Sequence, residues 1–141
     1  LQSMLNFSII GKKTIDTSKC IMDFHMVDTF PVNLDYEDFA FKPIRTADYY
    51  LTGTINCKSA AEGLKGIEFE LWDIRESSKA YSIKHHWEHN EEVQIPLNSV
   101  MRLIGSPTKQ YQYQFKCKSI NGKVLINQVS INLFKINGIM A

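Results

Sequence analysis

The sequence has little net charge and no long basic run. It carries 16 lysine and arginine residues against 15 aspartate and glutamate residues, for a formal charge of +1 at pH 7. The longest basic cluster is the pair Lys12 and Lys13. Because proteins that bind a nucleic-acid backbone cluster their lysine and arginine side chains, the sequence predicts no nucleic-acid partner.

Long apolar stretches are also missing. The apolar runs have the length of strands, far below the roughly twenty residues of a membrane helix, and the start of the chain lacks the pattern of a signal peptide. We therefore expect a soluble domain without membrane insertion. Residues 1–3 look like the remnant of a cleaved expression tag ahead of Met4, so residues 4–141 are expected to form a single domain.

Cysteine is scarce, and its spacing excludes two common uses. The three cysteines Cys20, Cys57 and Cys117 form an odd set without a CxxC pair, which argues against a disulfide framework and against a zinc ribbon. Buried free thiols are the simplest interpretation. A bridge between Cys57 and Cys117 stays open, because both residues lie in predicted strands.

Helical periodicity is almost absent, whereas alternation of apolar and polar residues recurs along most of the chain. Residues 49–58, 67–74 and 111–120 alternate most clearly, which is typical of half-buried strands. About eight to ten such segments predict an all-β fold, a two-sheet antiparallel sandwich or jelly roll of about ten strands. The dipeptide Asn121-Gly122 predicts a tight hairpin before the last long strand.

The same alternation predicts a core. On each of the three clearest strands one face is apolar or aromatic, and packing that face against a second sheet removes it from water. The predicted core residues are Tyr49, Leu51, Ile55, Phe69, Leu71 and Phe115.

The order of aromatic residues along residues 24–51 resembles the C1q/TNF-like jelly-roll family. That family has a tyrosine-containing loop, a short phenylalanine-containing strand that ends near a proline, a turn, and a core strand opened by Gly-Val-Tyr-Tyr-Phe. The residues that match in type and order are Tyr36, Phe39, Phe41, Pro43, Tyr49, Tyr50 and Leu51. The sequence departs from the family where Ala47-Asp48 replaces Gly-Val and where VSINLFKING replaces the usual closing strand.

The resemblance implies a ten-stranded jelly roll that trimerises about a threefold axis, with aromatic and aliphatic residues at the subunit seam. Domains of this kind are commonly the C-terminal heads of fibrous or collagen-like stalks that bind receptors or ligands. The resemblance therefore favours a location outside the cell or on a virion surface.

Histidines cluster at one place in the sequence. His85, His86 and His89 are weak metal candidates, because imidazoles are common ligands of zinc and nickel. Adjacent side chains of a strand point to opposite faces, so His85 and His86 do not converge on one ion within a single chain. Exposed loop histidines are the simpler interpretation, and three imidazoles around a threefold axis are the alternative. We expect no cofactor.

Catalytic motifs such as GxSxG and HExxH are absent from the sequence. Glu68 and Glu70 lie on one face of a predicted strand, about 7 Å apart, a spacing that loosely fits the carboxylate pair of a glycosidase. A solvated sheet face explains these two glutamates more simply. We therefore expect a protein that is not an enzyme and has no catalytic residues.

Aromatic residues provide the remaining candidates for ligand contacts or a subunit interface, because indole and phenol rings combine an apolar body with a polar tip. The candidates are Trp72, Trp87, Tyr111 and Tyr113. Trp72 lies opposite the apolar face of its strand, so we expect it at an oligomer seam.

These observations together predict a homotrimeric attachment head that recognises a protein or glycan receptor, for example as part of a phage or viral fibre. One alternative is a structural protein of a virion or tail-fibre assembly, whose surfaces bind only neighbouring subunits. The other alternative is a lectin-like jelly roll that binds carbohydrate through exposed tryptophans.

Overall fold

A computed structural model describes residues 4–28, 35–109 and 111–138. Residues 1–3, interpreted above as a tag remnant, lie outside this part of the chain. This part of the chain contains twelve strands and no helix, and hence no helix of the length and apolarity that crossing a membrane requires. The strands are β1 (Met4–Ser8), β2 (Lys13–Ile15), β3 (Cys20–Ile21), β4 (His25–Asp28), β5 (Asp35–Glu37), β6 (Ala40–Lys42), β7 (Ala47–Lys58), β8 (Lys65–Asp73), β9 (Ser78–Trp87), β10 (Val93–Leu103), β11 (Tyr113–Ser119) and β12 (Val124–Gly138).

The strands form two antiparallel six-stranded sheets that pack face to face. Sheet I has the order β10-β7-β12-β1-β4, with β2 also paired to β12. Sheet II has the order β5-β6-β11-β8-β9, with β3 also paired to β11. Most neighbours within a sheet are far apart in sequence, as in a Greek-key sandwich. The predicted all-β, two-sheet architecture is confirmed.

The core lies between the two sheets. The six predicted core residues are at most 5% exposed, and aromatic rings from both sheets meet there. The Phe115 ring stacks on the Phe69 ring at a centroid distance of 5.4 Å and meets the Phe7 ring edge-on at 4.9 Å. Each such side chain contributes about 1.5–3 kcal/mol of transfer free energy when it is fully buried.

The predicted hairpin at Asn121-Gly122 is wrong, because β11 belongs to sheet II and β12 to sheet I. Gly122 has a φ of 63°, but Asn121 is not in the left-handed region, which a type I′ turn requires at both positions. The Asn121 amide instead donates hydrogen bonds to the carbonyl oxygens of Glu62 and Leu64, at 2.8 and 3.0 Å. These contacts tie the crossover between the sheets to the loop before β8.

All three cysteines are free thiols, so Cys57 and Cys117 do not form a bridge. Cys117 faces Cys20 across the β11–β3 pair, whereas Cys57 lies in the other sheet. Burial raises the pKa of the Cys57 thiol to about 12 and that of Cys117 further still. These thiols are therefore protonated, unreactive parts of the core at neutral pH.

Candidate functional site

The three histidines do not come together. His85 and His86 occupy consecutive positions on β9, and His89 lies beyond the end of that strand, where its Nδ1 is 3.1 Å from Oε2 of Glu91. No group of three or more metal-ligating side chains occurs within residues 4–28, 35–109 and 111–138. The proposed metal candidates therefore form no site within one chain, and a site shared around a threefold axis stays a prediction.

Trp87 and Tyr113, two of the four aromatic candidates, are in the core and not on the surface. Trp87 is 6% exposed and Tyr113 is 2% exposed. The Tyr113 ring stacks on that of Phe41, and its hydroxyl accepts a hydrogen bond from the Ile104 N–H at 2.7 Å. Burial raises the pKa of this phenol to about 12. Assigning Trp87 and Tyr113 to a ligand or subunit contact was wrong, because their strand face is the one that packs against sheet I.

Trp72 and Tyr111 remain half-buried near the surface. The Tyr111 ring lies 5.0 Å from the Arg75 guanidinium. Trp72 lies on the outer face of sheet II, where its indole N–H donates to Oε1 of Glu70 at 3.2 Å. Three ammonium groups lie within 6 Å of its ring centre, namely those of Lys19, Lys79 and Lys116. Lysine ammonium groups therefore surround this ring. Their cation–π interactions stabilise the position of the indole.

Glu70 is the centre of this lysine-rich surface. Its carboxylate is only 1% exposed, with the Lys19 ammonium 2.6 Å from Oε1 and the Lys79 ammonium 2.5 Å from Oε2. Burial by itself raises the pKa of Glu70, but the hydrogen bonds from Lys19, Lys79 and Trp72 outweigh burial and lower it to about 2. The carboxylate is therefore ionised at neutral pH, with a lysine ammonium next to each of its two oxygens.

Glu68 lies two residues before Glu70 on β8, on the same face of the strand. Lys84 and Lys118 approach its two oxygens at 3.0 and 3.3 Å, and the hydrogen bond from Lys84 lowers its pKa. A glycosidase pair needs one carboxyl group whose pKa is raised, so that it is protonated and acts as the acid. The pKa values of Glu68 and Glu70 are both lowered, which is the opposite of what such an acid needs.

The outer face of sheet I has the opposite character. Residues 4–8, 50–56, 94–100 and 128–134, from β1, β7, β10 and β12, contain no charged residue. We call their outward side the uncharged face. Strand pairing arranges it in rows, and the polar members are the side chains of Asn6, Ser8, Thr52, Thr54, Asn56, Gln94, Asn98, Gln128, Ser130 and Asn132. Amide pairs link neighbouring strands, as where Asn6 donates to Asn132 at 2.8 Å.

An apolar row crosses this face near one end. The pairing places Val100 of β10 beside Tyr50 of β7, Tyr50 beside Phe134 of β12, and Phe134 beside Met4 of β1. Val100 is 64% exposed, and the other three are half-buried. Beyond this row lies Asp48, which binds Arg102 through two hydrogen bonds of 2.9 and 3.3 Å. On this side, the uncharged face therefore ends at the ion pair between Asp48 and Arg102.

Comparison with known proteins identifies the fold. No family model matches the sequence, and no curated protein matches it. Among solved structures, the Eiger TNF structure from S. frugiperda superposes with a TM-score of 0.68 at 7% identity, over 99% of this chain and 96% of that one. Murine APRIL at pH 5.0 superposes with a TM-score of 0.64 at 9% identity, over 96% of this chain and 100% of that one. The fold is a C1q/TNF-like jelly roll.

This identification confirms the fold that the aromatic order of residues 24–51 resembled. The uncharged face is not evident from the sequence of this TNF-like jelly roll, because each of its four strands looks like an ordinary half-polar strand when taken alone. The available signal was the shared absence of lysine, arginine, aspartate and glutamate from four separate segments of the chain, residues 4–8, 50–56, 94–100 and 128–134. Only the strand order brings these segments side by side.

Proposed function

We propose that this TNF-like jelly roll is a non-enzymatic binding head that assembles as a homotrimer and recognises a protein or glycan receptor. The observation that carries the proposal is the uncharged face of sheet I. Charged residues are 22% of the chain, yet the central part of this face has none. Solvated sheet faces normally carry lysine and glutamate, which also prevent unwanted association.

The composition of the uncharged face suits contact with another protein surface. Interface cores are depleted of charge and enriched in aromatic residues, and Tyr50 and Phe134 lie side by side here with the exposed Val100 next to them. Asparagine, serine and threonine side chains cost less to remove from water than charged side chains do. A second copy of the chain is the partner that the resemblance to trimeric jelly rolls implies.

The two outer faces differ in a way that supports one orientation. The outer face of sheet II carries Glu68 and Glu70 together with five lysines, which are Lys19, Lys79, Lys84, Lys116 and Lys118. Burying such a face would remove several charges from water at a large cost. We therefore place sheet I towards the threefold axis and sheet II towards solvent. In this arrangement Trp72, which the sequence alone led us to expect at an oligomer seam, lies on the outside of the trimer among the lysines.

Light scattering on the purified chain tests the assembly. We expect three copies per particle at micromolar concentration, and a monomer when Val100→Lys places a charge on the uncharged face. Ile21→Lys is the matched control, because Ile21 is an exposed β-branched residue on β3 of sheet II; this variant should stay trimeric. A monomeric wild-type chain, or a Val100→Lys variant as trimeric as the control, would contradict the proposal.

A further inference from the structure

A cleft of about 600 Å³ opens at one edge of the sandwich. It lies where β4, one of the two edge strands of sheet I, comes close to β5, one of the two edge strands of sheet II. The Tyr36 hydroxyl of β5 donates a 2.6 Å hydrogen bond to the carbonyl oxygen of Phe24, just before β4, and both residues line the cleft. The volume falls within the range of about 300–1,000 Å³ that is typical of small-molecule sites. We call this feature the edge cleft.

An exposed aromatic ring lines the edge cleft. Phe39 is 44% exposed, and its ring meets that of Tyr36 edge-on, with centroids 6.2 Å apart. Ile10, on the opposite loop, is 86% exposed. A large apolar ring that stays in water and is held by a neighbouring ring provides a rigid platform on which a ligand can stack.

The backbone that holds Phe39 is strained. Asp38 and Phe39, the turn between β5 and β6, have φ values of 53° and 59°, in the left-handed region that disfavours residues with a bulky side chain. The Gln114 amide donates a 2.9 Å hydrogen bond to the Asp38 carbonyl oxygen and fixes the turn. Such strain is typical of positions where a side chain is held for a purpose other than stability.

The charged groups along the edge cleft are predominantly basic. Lys12, Lys13 and Asp23 all line it, and the Lys13 ammonium lies 2.8 Å from Oδ1 of Asp23. The hydrogen bond from Lys13 lowers the pKa of the Asp23 carboxyl. Lys12 has no acidic partner among residues 4–28, 35–109 and 111–138. The edge cleft therefore has one ammonium group to spare for an anion.

We propose that the edge cleft binds an acidic sugar residue at the end of a glycan. The apolar face of the pyranose ring stacks on Phe39, its carboxylate meets the Lys12 ammonium, and the Asp23 carboxylate accepts a hydrogen bond from a sugar hydroxyl. Carboxylate, hydroxyl groups and an apolar ring face are the three features that match the cleft's ammonium, carboxylate and aromatic groups. The inference rests on the proposed binding role and names the site and the chemistry of the ligand.

Titration of the full chain with N-acetylneuraminic acid and with glucuronic acid, followed by amide NMR shifts, tests the inference. At least one of the two acids should shift the amides of Ile10, Lys12, Lys13 and Phe39, and glucose should bind at least several-fold more weakly. Phe39→Gly relieves the strained turn while it removes the ring, so it should weaken binding of the acid about fivefold or more without lowering the melting temperature. Leu64→Ala, at another exposed apolar residue, should bind like the wild type.

Several outcomes would overturn the inference. They are an absence of cleft shifts with both acids at tens of millimolar, shifts confined to other surfaces, equal binding of glucose, and unchanged affinity in Phe39→Gly. Light scattering on the same samples separates this result from the assembly. If the chain is a trimer but neither acid shifts the amides of the edge cleft, only the sugar site is contradicted. If the chain is a monomer whose edge cleft binds the acid, only the trimer is contradicted.

Discussion

Tyr36 and Phe24 join the two sheets at the open edge of the sandwich, where the phenol of one donates a hydrogen bond to the carbonyl oxygen of the other at 2.6 Å. Phe24 is only 1% exposed, so its carbonyl group has little access to water. A buried acceptor that loses its donor costs more than the net value of the hydrogen bond. This single contact therefore matters both for the stability of the edge and for the shape of the edge cleft.

We predict that Tyr36→Phe lowers the free energy of unfolding by about 1–2 kcal/mol, measured by urea denaturation. Tyr111→Phe is the control, because the Tyr111 ring keeps its contact with Arg75 when the hydroxyl is removed. The control should stay within about 0.5 kcal/mol of the wild type. An equal loss of unfolding free energy in the two variants would show that the hydrogen bond from Tyr36 to the Phe24 carbonyl oxygen does not stabilise the fold.

The same phenol predicts a response to alkaline pH. Burial raises the pKa of Tyr36 from its ordinary value of 10.0 to about 12. The unfolded chain therefore loses this proton first, so the stability that Tyr36 contributes is complete below pH 10 and is lost as the pH rises towards 12. The wild type should lose more stability than Tyr36→Phe across this window in denaturation at successive pH values. If the stability of the wild type and of Tyr36→Phe fell equally across this pH range, the raised pKa of Tyr36 would be contradicted.

Glu70 predicts a response to acid. Its pKa of about 2 in the folded chain lies below the ordinary value of 4.5, so its contribution is complete above pH 4.5 and is lost as the pH falls towards 2. Glu70→Gln should destabilise the chain by about 1–3 kcal/mol at pH 7, because Lys19 and Lys79 lose their buried partner. The difference from the wild type should disappear near pH 2.

Glu68→Gln is the matched control for Glu70, since Glu68 also binds two lysines but has a carboxylate that is 15% exposed. Water screens its ion pairs more strongly, so its loss at pH 7 should be the smaller of the two. Thermal denaturation of both variants from pH 2 to pH 7 makes the comparison. A larger loss for Glu68→Gln would contradict the central role of Glu70 in the lysine-rich surface.

Strands β7 and β12 approach each other closely at Gly53. A Cβ atom at this position would lie 2.2 Å from the Ser130 carbonyl oxygen and 2.8 Å from the Ile131 Cα atom, both of which are backbone atoms. Gly53→Ala should therefore destabilise the chain by about 3 kcal/mol, because a central strand pair must move apart. Chemical denaturation measures this loss.

Gly11→Ala provides the comparison for Gly53. Gly11 has a φ of 74° but open space around it, so alanine there meets only backbone strain of about 1–2 kcal/mol. The Gly53 variant should be the less stable of the two. A Gly53→Ala chain that is as stable as the wild type would show that β7 and β12 can separate freely.

Local sequence patterns predicted the extended segments and their inward sides. In residues 49–58 the alternation places Leu51 and Ile55 on one side and Thr52 and Thr54 on the other, because successive side chains of a strand point to opposite faces. The aromatic order around Tyr36, Phe41 and Tyr49 was enough to indicate the C1q/TNF-like jelly roll. These features depend only on neighbours along the chain.

Pairing between distant strands was not predictable in the same way. Asn121-Gly122 has the composition of a hairpin turn, yet the strands on either side enter different sheets. Trp87 and Tyr113 have the amphipathic rings of surface residues, yet the packing of the opposite sheet buries them. The edge cleft combines Lys12, Asp23, Tyr36 and Phe39 from separate segments of the chain, so no short sequence motif predicts it.

The sequence by itself determined that this chain forms strands and which side of each strand avoids water, since both follow from the chemistry of adjacent residues. Tertiary structure alone decided that four uncharged strand segments lie together, that five lysines share one outer face, and that a strained phenylalanine and a spare ammonium group line the same cleft. The physical reason is that strand order and register are set by burial of the whole core, which no local stretch of sequence encodes.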